Sequence, residues 1–136
     1  MKDDLNKSIN ELEGAESELD SNQQEYPLAR RCSELREKPL KNYTVEDLRL
    51  MIGQGIGLSW LVPVAIEKLA ENLFSEGDFY PGDLLINVLR IETNYWITHA
   101  RERAALLRLL EEKLPFTEKA EIPKSVLKAI ETVLTE

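Results

Sequence analysis

Three carboxylates fall within eight residues at Glu76, Asp78 and Asp83, interleaved with Phe79 and Tyr80 in the string EGDFYPGD. Carboxylates so close can share a proton, hold a cation or pair with a basic partner, and each use asks something different of the surroundings. Acid–base or metal work needs groups that raise one pKa or complete a ligand shell, and no His-rich or Asp-rich companion motif stands in the chain. The string also fails the calcium-loop pattern, lacking its alternating ligands and distal glutamate. An acidic patch beside aromatics suits the binding of a basic protein surface. Structural uses compete for the same residues: Asp83 can bond the start of a following helix, and Asp78, after Gly77, can brace a turn.

Other candidates carry less. Cys32 is the only cysteine and His99 the only histidine; they lie far apart in the chain with no cysteine-hydrolase context, so Cys32 is expected in the core and His99 packed or at the surface. The run IGQGIG alternates Gly53, Gly55 and Gly57 but follows a helix, has no GK[ST] ending and lacks the dinucleotide spacing, so it is expected to stop a helix and turn. Glu67 and Glu71 stand four apart on the outer face of one helix and repel mildly, and Glu71 lies in a last turn where the helix dipole disfavours a carboxylate. Such a departure from good local electrostatics adds both to the candidate binding residues.

The carboxylate string needs an element to hold it. Pro81 suits the first position of a helix in which Leu84, Leu85, Ile86, Val88, Leu89 and Ile91 follow, apolar on nearly all sides and therefore buried. Before it, Thr44 is an N-cap with Glu46 and Asp47 in the first turn, ahead of Val45, Leu48, Met51 and Ile52. Leu28, Cys32 and Leu35 form a stripe ended by Pro39, and Pro63 is expected to open a helix with Ile66, Leu69, Ala70 and Leu73 inward. After it, residues 92–114 spell the longest helix, with Trp96, Ala100, Arg103, Leu107, Leu110 and Leu114 on one face and Pro115 as its stop. Pro123 starts a last helix through Val126, Leu127, Ile130, Val133 and Leu134. The expected fold is all-α: a single compact domain of about six helices, with no sheet.

At 136 residues the chain suits one domain. Its 25 acidic and 17 basic residues give −8, which argues against a nucleic-acid partner. Residues 1–26 carry eight acidic residues against Lys2 and Lys7. There Leu5, Ile9, Leu12 and Leu19 fall at helical spacing, but Gly14 and the polar run 21–25 weaken the pattern. This segment is expected to be a loosely packed or frayed acidic helix, either a solvated tail or an arm that contacts the partner, preceding a helical domain over 27–136. One cysteine, no long apolar run and no basic-then-apolar leader point to a cytoplasmic protein without a membrane segment.

Two long stretches, YTVEDLRLMIGQGIGLSWLVPVAIEKL over 43–69 and EGDFYPGDLLINVLRI over 76–91, resemble immunity proteins of bacterial contact-dependent growth inhibition systems. The resemblance runs from about residue 35 to the C-terminus and leaves residues 1–26 outside. It implies a small helical protein, not an enzyme, that binds the toxic C-terminal domain of a delivered effector and needs no cofactor or metal. Many such toxins are nucleases, whose basic clefts an acidic inhibitor can fill with carboxylates in place of phosphates. On this view Glu76, Asp78, Phe79, Tyr80 and Asp83 are the first contact candidates, with Glu67 and Glu71 next. Two other readings use the same residues: a small helical enzyme or metal-binding protein built on Glu76, Asp78 and Asp83, and an acidic phosphate mimic that regulates a DNA-binding protein.

Overall fold

The helix behind the carboxylate string is the centre of the molecule. In the computed structural model, which describes residues 4–14, 26–117 and 122–134, helix α5 spans Asp83–Leu89 and buries six of its seven residues. Around it pack α3 (Val45–Gly53), α4 (Leu58–Glu71) and α8 (Lys124–Leu134). The other helices are α1 (Ile9–Glu13), α2 (Pro27–Arg36), α6 (Thr93–Thr98) and α7 (Ala100–Lys113). Six of the eight have seven or more residues, and the only β pairing among the described residues is an isolated bridge between Glu76 and Pro81. The fold is all-α, as the periodicities predict. Among the described residues no helix is long and apolar enough to cross a membrane.

Local chemistry explains most boundaries. Thr44 accepts the Asp47 amide while the Asp47 carboxylate accepts the Thr44 amide, a reciprocal cap that starts α3. The turn after α3 is made at Gly55 and Gly57, whose φ angles of 71° and 63° cost a side-chain-free residue nothing. Pro115 stops α7, and a short 3₁₀ turn over Leu114–Phe116 follows. Leu48, Met51, Ile52, Leu61, Val62, Leu69, Val126 and Ile130 join α5 in one buried cluster.

Several expectations are corrected. Pro81 lies before α5 rather than at its first position, because Gly82, with φ 90°, reverses the chain and Asp83 begins the helix. Pro63 lies inside α4, which already begins at Leu58: the Gly57 carbonyl accepts from Trp60 and Leu61, so the first turn is formed before the proline. The bond Pro63 cannot make would have gone to Ser59, an exposed residue. Ala70, Ala100 and Leu28 are exposed, and Ala65 and Leu106 take the buried places.

The long helix over 92–114 is broken at His99, whose φ of −130° and ψ of 52° separate α6 from α7. A continuous helix would send the His99 amide to the Tyr95 carbonyl; here it goes to Trp96. Thr98 Oγ1 and His99 Nδ1 occupy the Tyr95 carbonyl instead, at 3.0 and 2.9 Å, and the imidazole stacks on the Tyr95 ring at 3.9 Å. A carbonyl satisfied by side chains lets the helix break without an orphaned acceptor.

Within residues 4–14 the N-terminal segment is held closely. Ser8 and Glu11 cap α1 reciprocally, Ile9 is fully buried against Gly57, and Arg36 of α2 bonds Asn10 and pairs with Glu13. Leu19 and the acidic residues Glu16, Glu18, Asp20 and Glu25 lie outside the described residues.

Candidate functional site

The loop between α4 and α5 is built by Asp83. Its side chain is 1% exposed and turns back under the loop, accepting the Gly77 amide at 2.6 Å through Oδ1 and the Phe79 amide at 3.0 Å through Oδ2. The Tyr80 amide lies 3.4 Å from the same Oδ2. A carboxylate that gathers several backbone donors fixes the chain between them, and charge-assisted bonds of this kind are the stronger ones. Farther back, the Ser75 hydroxyl donates to the Asn72 carbonyl and the Gly82 amide to that of Phe74, closing the base.

A second support comes from α3, 32 residues earlier. Glu46 accepts the Asp78 amide at 2.8 Å and grips Arg49 through two bonds of 2.6 Å. The Arg49 guanidinium in turn lies 4.4 Å from the Phe79 ring centroid, a cation over a π face. The hydrogen bond to Arg49 holds the Glu46 carboxyl below its ordinary value, against burial, and the Asp78 amide adds to the effect. Arg49 is strengthened as a cation, first by Glu46 and then by Asp83 and Asp78. Gly77 runs between the two supports: a Cβ there would stand 2.6 Å from Glu46 Oε1 and 3.0 Å from Asp83 Oδ2, so a side chain at this position would push on both supporting carboxylates.

What the loop presents outward is Glu76, Asp78 and Phe79. Both carboxylates are exposed and neither side chain has a hydrogen-bonding partner among the described residues. Phe79 is 67% exposed although Arg49 covers it, and Tyr80 is half-buried against the core. Asp83 is thus spent inside the loop and does not face out with Glu76 and Asp78. Glu67 and Glu71 are exposed on α4, and among the described residues no hydrogen bond or ion pair joins their side chains to the loop; Glu71 lines a separate depression with Asn72, Glu112 and Lys113. Among the described residues no group of three His, Cys, Asp or Glu side chains could hold a metal ion.

Sequence reasoning missed Glu46 and Arg49 as parts of this surface. Their i, i+3 spacing is a visible helix pair, but its link to Asp78 and Phe79 depends on α3 packing beside α5. Cys32 is buried, which pushes its thiol up, and His99 stacks on Tyr95 with Nε2 3.3 Å from Ser59 Oγ.

The loop is therefore an acidic and aromatic projection whose backbone is held from two sides. Residues 11–106 match the family model described as CDI immunity proteins, which covers more than half of the chain and includes the loop and both of its supports. No curated protein and no solved structure matches the chain.

Proposed function

The chain belongs to the CDI immunity proteins, which makes it a toxin-neutralising protein, and from that premise we propose that the loop over 76–80 is the surface that meets the toxin. The observation that carries this is Phe79, a large aromatic side chain left 67% exposed on backbone fixed from two sides, with Glu76 and Asp78 beside it. Ordering such a loop costs nothing on binding because folding has already ordered it. Central aromatics supply most of an interface's energy, and flanking charges steer a partner of opposite sign.

The complementary toxin face is basic and holds an apolar recess. A nuclease cleft meets that description, with Glu76 and Asp78 standing where phosphates would bind. Neutralisation is by occupation in the cytosol, where delivered toxin and inhibitor meet, and no bond is made or broken. Glu46, Arg49, Tyr80 and Asp83 position the contact residues; Glu67 and Glu71 form a second acidic face on α4 outside the loop.

The test is the double variant Glu76→Ala, Asp78→Ala, titrated calorimetrically against the cognate toxin domain. Binding should weaken at least about tenfold, or about 1.4 kcal/mol, with helicity and melting unchanged. Phe79→Ala should cost as much or more. A duplex oligonucleotide bound in the cleft should compete with wild-type inhibitor. Unchanged affinity in both variants would refute the loop as the contact, and absence of competition would remove the nuclease cleft while leaving the loop in place.

A further inference from the structure

A second surface, of opposite character, lies at the other end of α5. Where the loop leads into the helix at Asp83, Leu89, Arg90 and Ile91 at its far end border a groove of about 320 Å³ formed with α6, α7 and α8. Trp96 and Leu106 are buried in its floor, with Leu107 and Val133 half-buried beside them. Arg90, Arg103 and Lys128 also line it, and Arg90 and Lys128 are exposed. Among the described residues its charged lining is basic, over an apolar floor, in a chain of net charge −8. The volume is at the lower end of pockets that take a small ligand or a single anchoring side chain. An occupant that fits it is apolar with anionic groups beside the apolar part.

The chain itself carries such a group: the exposed Phe79 with Asp78 next to it and Glu76 three residues before it. The loop cannot reach its own groove. It is tied to α3 through Asp78 and Glu46 and to the start of α5 through Asp83, whereas the groove borders the end of that helix, about 10 Å along its axis. A second molecule has no such restriction. We propose that the groove receives the 76–80 loop of a second copy of this chain, with Phe79 on the apolar floor and Glu76 and Asp78 paired with Arg90 and Lys128. The contact joins two different surfaces, so it propagates from copy to copy into a ring or an open chain. It stands without the toxin reading, and where both hold, toxin and second copy exclude each other at the loop.

Sedimentation velocity on the full chain at physiological salt, from low micromolar to near-millimolar concentration, tests this. The weight-average mass should rise past that of two copies. A loop variant (Phe79→Ser with Asp78→Lys) and a groove variant (Arg90→Glu with Lys128→Glu) should each stay monomeric. Mixed in equal amounts they should form a dimer and stop there, since one retains a working groove and the other a working loop. The groove variant should bind toxin as wild type does, which separates this proposal from the toxin contact. A wild-type chain that remains monomeric throughout, or a mixture that gives no dimer while both variants keep native helicity, overturns it. Association undiminished in either variant overturns it as well.

Discussion

Asp78 and Asp83 stand in one short motif and do opposite things. Asp83 is enclosed and holds the Gly77 and Phe79 amides, while the Asp78 side chain faces solvent and only its amide is used, by Glu46. Asp83→Ala should therefore destabilise by about 1 to 3 kcal/mol in urea unfolding, because it leaves those amides without their acceptor, whereas Asp78→Ala should change stability by less than about 0.5 kcal/mol. Two other carboxylates set the acid limit. Burial pushes Asp47 up, but the Lys38 ammonium at 2.6 Å, the Thr44 amide and Arg31 outweigh it and hold the group below its ordinary value; Glu46 is held down by Arg49. A depressed folded-state pKa contributes stability that is complete above the unfolded value, 3.8 for Asp47 and 4.5 for Glu46, and is lost as pH falls through the folded value. Urea midpoints should thus be level from neutrality to about pH 5 and fall below about pH 4.5, less steeply in Asp47→Asn. An equally steep acid limb in that variant would show that Asp47 does not set it.

Helix α5 is short enough that its own hydrogen bonds could not sustain it, and its packing on α3, α4 and α8 does so. Leu85 is fully buried there, and Leu85→Ala should cost about 2 to 5 kcal/mol, with the loop loosening as its anchor moves. Ile97 on α6 is the control: it is 70% exposed, and Ile97→Ala should lie within about 0.5 kcal/mol of wild type. The α6–α7 break shows how side chains settle what helix propensity leaves open. Good helix formers follow His99 in α7, while α6 before it holds only β-branched, aromatic and Asn residues of lower propensity, and there Thr98 and His99 take the Tyr95 carbonyl, with Nδ1–H donating to it and Nε2 left to accept from Ser59.

The buried residues form one cluster from Ile9 in α1 to Ile130 in α8, so unfolding should be a single transition by circular dichroism and by fluorescence of Trp60 and Trp96. The N-terminal segment belongs to that unit through α1: Ile9→Ala should lower stability by about 2 to 5 kcal/mol, and removal of residues 1–14 by at least as much. A deletion without effect on the urea midpoint would make the segment an appendage. The all-α class, the Thr44 cap, the turn after α3, the burial of α5 and the resemblance to CDI immunity proteins were all legible in the chain, because each depends on neighbours a few residues apart or on an unbroken motif. The docking of Ile9 was not, since it is decided by which surface the element meets, and the start of α4 before Pro63 and the break at His99 were not, since each turns on which of several competing local acceptors and donors pair. The same holds at the loop. Its acidic and aromatic residues are plain in the string EGDFYPGD, but that Asp83 faces in, that Asp78 and Phe79 face out, and that Glu46 and Arg49 hold them there follows only once α3 and α5 lie side by side, because burial and pairing across 32 residues are properties of the packed chain and not of its local order.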